Sequence, residues 1–246
     1  MEQYNLFEGD SPLKIDKKIR LIELFGGIGA QASALERLEA KGKLPCGFEH
    51  YRMVEIDKYA CKSYNAVHGT AFKPMDITKI RGEDLGIIDT DRYIYILTYS
   101  FPCQDLSLAG MQKGMAKGSG TRSGLLWEVE RLIRECEQVP QILLMENVPQ
   151  VIGKKNLDDF KDWLCFLESY GYCNKYQLLN AKDYGIPQNR NRCFMVSWQG
   201  NFSYHFPPKI ELELRLKDML EDNVDEKYYL KDDVVEKMLN QMENPT

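Results

Sequence analysis

Four side chains in this sequence have types and positions suited to covalent chemistry. Cys103 follows Pro102 directly after the apolar run Tyr93-Ile94-Tyr95-Ile96-Leu97. That run reads as a buried strand, and Pro102 ends strand pairing. A thiol just past the end of a central strand lies where open α/β sheets carry their active sites, although a buried structural cysteine fits the same residues. Glu146 follows a second apolar run, Gln141–Met145, and leads into Asn147-Val148-Pro149. A carboxylate there is costly unless exposed, paired or protonated. Arg190 and Arg192 alternate into a third run, Cys193–Trp198, so both guanidiniums fall on one face of a strand. Two sequential strands thus end in reactive groups, Cys103 and Glu146, on the same sheet edge if both are parallel. Surface salt bridging accounts equally for the arginines.

The elements that must position these groups begin at Ile19–Leu24, a short strand. Phe25-Gly26-Gly27-Ile28-Gly29-Ala30 follows, then a helix with apolar positions at Ala34, Leu35 and Leu38. Strand, glycine turn and helix open the nucleotide-binding half of a doubly wound sheet. Gly27, Gly29 and Ala32 satisfy G-x-G-x-x-A, which does not by itself distinguish a dinucleotide from another adenosine cofactor or from a bare turn. A second strand ends at Val54-Glu55-Ile56-Asp57. Glu55 can accept ribose hydroxyls, and Asp57 suits the cap of a helix running through His68. A third strand is expected near Lys73–Thr78, with Asp76 near its end as an adenine contact or a turn residue. A helix from Ser123 carries Leu125, Leu126, Val129, Leu132, Ile133 and Cys136 on one face. Another carries Phe160, Trp163, Leu164 and Leu167 and stops at Gly171. Tyr176–Leu179 and Cys193–Trp198 read as a closing strand pair. Two further helices are expected near Arg215–Glu221 and Lys231–Met242.

Composition narrows the class. The 246 residues are 43% apolar and 28% charged, enough for a sizeable core without disulfides or metal. Seven scattered cysteines form no C-x-x-C, and His50, His68 and His205 lack ligand-like spacing, so no metal is expected. No membrane span or signal pattern is read, and a reducing cytoplasm is the expected compartment. Net charge is −5, which gives no overall basic footprint for nucleic acid. Leu106–Trp127, however, holds Lys113, Lys117 and Arg122 and no acid. With Gly110, Gly114, Gly118, Gly120 and Gly124, this stretch reads as a positive lid, mobile over Leu106–Ser123 when no substrate is bound.

ELFGGIGA, VEIDKYA, MDIT, TYSFPCQDLS, KGSGTRSGLLWEVER, LLMENV and QNRNR stand in this order. Together they resemble the DNA cytosine-5 methyltransferase family, most closely the bacterial and phage members of restriction–modification type. The resemblance covers about residues 19–199. It implies a doubly wound, mostly parallel, Rossmann-like sheet with helices on both faces, S-adenosylmethionine as cofactor (S-adenosylhomocysteine as product) and double-stranded DNA as partner. By the same resemblance, Cys103 attacks carbon 6 of an extruded cytosine, and carbon 5 then takes the methyl group. Glu146 holds and protonates nitrogen 3, which requires a carboxyl that carries or shares a proton. Arg192, supported by Arg190, fixes the base. Phe25 stacks on adenine; Gly27, Ile28 and Gly29 meet the methionine part; Glu55 and Ile56 meet the ribose side; Asp76 and Ile77 meet the adenine side. Pro102 lies between cofactor and base, and Gln104, Ser107, Lys113 and Arg122 belong to a DNA-contacting loop. A tRNA-active member of the family and a nicotinamide oxidoreductase are the rival readings.

The domain expectation is an arm over 1–18, a catalytic domain over 19–199 and a helical extension over 200–246. The resemblance also implies a target-recognition domain and a closing Gly-Asn-Ser segment, neither of which is read here. The expectation is therefore a split or truncated enzyme that is poorly active alone, complemented by a second polypeptide.

Overall fold

Alternation along the first strand sets the layers. In β1 (Lys18–Leu24), Ile22 and Leu24 face one way and Ile19 and Leu21 the other. The computed structural model describes residues 15–104, 106 and 114–243. After β1 come α1 (Ala30–Ala40), β2 (Phe48–Val54), α2 (Lys58–His68), β3 (Tyr93–Tyr99), α3 (Leu126–Glu135), β4 (Ile142–Asn147), α4 (Leu157–Ser169), β5 (Cys173–Asn180), β6 (Asn191–Trp198) and α5 (Asp232–Glu243). The sheet order is β2-β1-β3-β4-β6-β5. β2, β1, β3 and β4 are parallel, and β6 runs antiparallel to both β4 and β5.

Helices cover both faces. Ala32 of α1 and Cys61 and Tyr64 of α2 pack on Leu21 and Met53. On the other face, Leu126, Val129, Leu132 and Ile133 of α3 and Phe160, Trp163 and Leu167 of α4 join Tyr95, Leu97, Tyr99, Leu143 and Met145. Strand order reverses at β1, which lies between β2 and β3. Doubly wound sheets open their binding crevice at such a switch. Leu24 pairs with Tyr99, and Tyr99 with Met145, so the carboxyl ends of β1, β3 and β4 lie in one row.

Several expectations are corrected. No strand forms over Lys73–Thr78; Asp76 instead caps a 3-10 turn, Ile77–Lys79. Thr78 supplies the local hydrogen bonds that a strand would have spent on a neighbour. Ala34 and Leu38 are exposed; α1 packs through Ala32 and Leu35, because a small side chain lets the helix approach the sheet. Leu216–Met219 is a 3-10 turn rather than a helix, and its apolar side chains are exposed. Within the glycine-rich stretch, residues 107–113, with Ser107 and Lys113, lie outside the described residues. The remainder is anchored: Leu106, Met115 and Ser123 are buried, and the Trp127 indole N–H donates to the Met115 carbonyl at 2.7 Å.

The chain forms two compact units. One comprises residues up to 180 with 190–209 and contains the sheet. The other comprises 181–189 with 210 onward, and includes the 3-10 turn Ala181–Tyr184 and α5. No helix among the described residues is long and apolar enough to cross a membrane.

Candidate active site

Three loops leave the carboxyl ends of β1, β3 and β4. The first is the glycine turn. Phe25 takes the left-handed conformation at φ 59°, a strained choice for an aromatic residue, and its N–H donates to the Val54 carbonyl at 2.8 Å. That bond stitches the turn to the end of β2. Gly27 and Gly29 also have positive φ, 55° and 82°. A Cβ on Gly27 would meet nothing within 4 Å, so bare backbone faces open space there. A Cβ on Gly29 would lie 2.2 Å from His68 Nε2, so that position requires glycine.

Glu55 closes the side of this turn. One carboxylate oxygen accepts from the Gly27 N–H at 3.0 Å and the other from the Asp57 N–H at 2.9 Å. Asp57 caps α2 by accepting from Tyr59 N and Ala60 N, as its position before the helix predicts. Ile28 and Ile56 remain 64% and 68% exposed beside the open backbone, an apolar rim that suits a flat ring better than water. The Met75 N–H donates to the Glu55 carbonyl at 2.8 Å and draws the Asp76 segment against the same loop. Asp76 Oδ1 accepts from Thr78 Oγ1 at 2.8 Å and Thr78 N at 3.0 Å; these bonds hold its carboxyl below the usual carboxylate range. The Ile77 side chain is core and its carbonyl accepts from Arg131 Nη2 at 2.9 Å, so its backbone N–H is the part left to meet a ligand. Open backbone, a bidentate-capable carboxylate and an apolar rim fit a nucleoside with a charged tail.

The second loop carries Pro102 and Cys103. Cys103 is half-buried against the core. Three side-chain bonds hold the loop: Asn147 Nδ2 donates to the Phe101 carbonyl at 3.0 Å, Ser123 Oγ donates to the Pro102 carbonyl at 2.7 Å, and Arg122 donates to Gln104 Oε1 at 2.7 Å. Burial pushes the Cys193 thiol up to about 12 and the Cys136 thiol up to about 11, so both stay protonated at neutral pH.

The third loop brings Glu146 to the arginines. Glu146 pairs across strands with Phe194, so Arg192, two residues earlier on β6, leans over the same face. Arg192 Nε lies 3.0 Å from Glu146 Oε1, and Arg190 Nη2 lies 3.6 Å from the same oxygen. The Glu146 and Arg192 side chains are only 19% and 21% exposed, so screening by water is reduced.

A family model described as C-5 cytosine-specific DNA methylase matches residues 19–246. The chain belongs to this family. The type II methyltransferase M2.ScrFI of Lactococcus lactis subsp. cremoris is 50% identical over 139 residues, covering 56% of this chain and 38% of that protein. The orphan methyltransferase M.SssI of Spiroplasma monobiae is 34% identical over 242 residues, covering 76% of this chain and 61% of that protein. This chain therefore spans between about two fifths and three fifths of those relatives. Among solved structures, the Entamoeba histolytica methyltransferase EhMeth superposes with a TM-score of 0.72 at 23% identity, over 89% of this chain and 65% of that one. That likeness bears on the fold.

Two residues of this candidate site escape a reading of the sequence by motif chemistry. Asn147 stands inside the Glu-Asn-Val motif, yet its amide spans from β4 to the Phe101 carbonyl, a contact no spacing announces. Ser123 reads as a helix start, whereas its hydroxyl holds Pro102. The only sequence signal for either is a small polar residue beside an apolar run.

Proposed function

We propose that this chain carries the catalytic domain of an S-adenosylmethionine-dependent DNA cytosine-5 methyltransferase. The observation that carries the reading is the Glu146–Arg192 pair at the edge where the Cys103 loop also emerges, next to the open Gly27 backbone. The cofactor supplies an electrophilic methyl group. The Cys103 sulfur adds to carbon 6 of a cytosine turned out of the duplex, and the ring's electron pair moves to carbon 5. Glu146, held by Arg192 and Arg190, grips nitrogen 3 and balances charge as the ring is reduced in aromaticity. Once carbon 5 carries the methyl group, its proton leaves to a base and the sulfur departs, restoring the double bond.

In this proposal Phe25, Ile28 and Ile56 flank the cofactor's rings and chain, Gly27 and Gly29 offer backbone, and Glu55 and Asp76 take its hydroxyl and amino groups. Pro102 separates it from the base, Ile77 contributes backbone, and Gln104 and Arg122 face DNA. Base-specific reading is assigned to chain outside the described residues or to a second polypeptide. In support, residues 210–242 form turns and one helix without a buried core.

Thermal shift with S-adenosylhomocysteine and with NAD tests the cofactor, and methyl transfer to mixed-sequence duplex DNA and to tRNA tests the substrate. Stabilisation by S-adenosylhomocysteine and not by NAD is expected, with transfer to DNA that is weak for the chain by itself, rises with a polypeptide carrying the recognition domain, and is abolished by Cys103→Ala while cofactor binding persists. Stabilisation by NAD alone, or transfer confined to tRNA, overturns the reading.

A further inference from the structure

Behind the glycine turn, on the α1/α2 face of the sheet, a second cluster of chemical groups stands apart from the cysteine. Glu36 of α1, His50 of β2 and His68 of α2 bring one ligand atom each within 4.8 Å of one another. His68 Nδ1 lies 2.8 Å and His50 Nε2 lies 3.3 Å from the same oxygen, Glu36 Oε1. Sequence spacing hides this set, because the three residues meet only when β2 pairs with β1 and both helices close over it.

The outer partners of the two rings favour one placement of their hydrogens. His68 Nε2 lies 3.0 Å from the Ile28 carbonyl. A carbonyl only accepts, so Nε2 carries the hydrogen, and Nδ1 of the neutral ring is a bare lone pair. His50 Nδ1 lies 3.0 Å from the Tyr64 hydroxyl, and that hydroxyl donates to Glu23 Oε2 at 2.5 Å. With the Tyr64 hydroxyl committed to an ionised Glu23, its oxygen accepts from His50 Nδ1–H, and in that tautomer His50 Nε2 is bare as well. Two imidazole lone pairs and a carboxylate thus converge with no hydrogen among them. Such an arrangement repels itself unless a cation sits at its centre.

We propose that Glu36, His50 and His68 bind one zinc-class divalent metal ion. Two imidazoles and a carboxylate are a zinc donor set, and a tetrahedron with bonds of about 2.0–2.1 Å has edges of roughly 3.3–3.4 Å; the His50–Glu36 separation of 3.3 Å matches, and the His68–Glu36 separation of 2.8 Å opens on binding. Each ring already has the hydrogen-bonded outer partner that metal-bound histidines use. The His68 side chain is fully buried, His50 is 17% exposed and Glu36 is 39% exposed, so the site opens at Glu36, where water completes the coordination. The ion ties α1, β2 and α2 together and, through the His68–Ile28 bond, steadies the glycine turn. The proposal does not depend on the methyl-transfer reading.

The test is zinc titration of the whole chain against a chromophoric chelator, with cysteines alkylated beforehand, alongside a Tm measurement. One zinc per chain is expected, with a rise in Tm of roughly 5–10 °C at a hundredfold excess over Kd. Glu36→Ala changes a partly exposed residue and keeps the fold; it should weaken binding at least tenfold, by analogy with the sensitivity of zinc sites to their supporting groups. His50→Gln should do the same. Absence of stoichiometric binding, or equal binding by the parent and a folded Glu36→Ala chain, overturns the proposal and leaves a proton as the cation of the cluster.

Discussion

Asn147→Ala tests how the Pro102–Cys103 loop is held. Asn147 is 2% exposed; its Nδ2 donates to the Phe101 carbonyl at 3.0 Å, and its Oδ1 accepts from the Val148 N–H at 2.8 Å. Alanine removes both bonds where water cannot replace them. Each orphaned buried group costs about 1–3 kcal/mol, which sums to about 2–6 kcal/mol, and loop relaxation favours the lower half of that range. For a protein of this size, about 2–4 kcal/mol corresponds to a fall in Tm of roughly 5–15 °C. Because the Phe101 carbonyl is two residues from the thiol, methyl transfer should fall further than stability accounts for, at temperatures where the chain is still folded. Asn147→Asp keeps the acceptor for Val148 but turns the donor to Phe101 into an oxygen, so it should rescue neither property. The measurements are calorimetric Tm, circular dichroism and transfer rate at saturating cofactor. An Asn147→Ala chain within about 1 °C of the parent and equally active would refute the reasoning, since a buried bidentate amide cannot then be what holds the loop.

Further outcomes follow from the same geometry. Arg192→Lys replaces a fork that reaches Glu146 at 3.0 Å by a point charge, so single-turnover transfer should drop about tenfold or more while S-adenosylhomocysteine affinity holds; equal losses in both would refute the assignment. Arg122→Ala, which frees Gln104, should weaken DNA-dependent steps more than cofactor affinity, measured by DNA titration at two salt concentrations. With iodoacetamide at pH 8, exposed Cys46 and Cys165 should label first. Cys136, pushed up to about 11, should resist, because its thiolate fraction is about one in a thousand against about one in four for an ordinary thiol. Peptide mass spectrometry reads the order, and early labelling of Cys136 would contradict its burial.

The glycine turn, Cys103 and Glu146, proposed above as site groups, were legible because each lies at or past the end of an apolar run, and hydrophobic runs are the strongest local signal a sequence carries; Arg190 and Arg192 instead lead into β6. The runs at β1, β3 and β4 gave strands ending beside the glycine turn, Cys103 and Glu146. The Asp57 cap was legible for the same local reason. What failed was decided by tertiary contact. Lys73–Thr78 is extended by its proline, but its Met75–Glu55 bond does not continue into a ladder, so it remains irregular. The α1 face was misread because Ala32, not the larger Leu38, meets the sheet. Met115 is buried among glycines because the Trp127 indole captures its carbonyl, a contact twelve residues away in sequence. The Glu36–His50–His68 cluster has no local signature. Its one hint is Glu23, a carboxylate inside an apolar strand, which turns out to anchor the Tyr64 hydroxyl behind His50.

The central claim is that Cys103 attacks the ring of a cytosine. The most direct measurement uses mixed-sequence duplex DNA in which 5-fluorocytosine replaces cytosine, incubated with the chain and S-adenosylmethionine. Fluorine at carbon 5 cannot leave as a proton does, so the sulfur–carbon 6 bond should persist after methyl transfer. The account predicts a cofactor-dependent covalent species whose nucleotide maps to the peptide containing Cys103 and which Cys103→Ala does not form. An adduct on another cysteine, or methylation of ordinary cytosine by a Cys103→Ala chain, would contradict it.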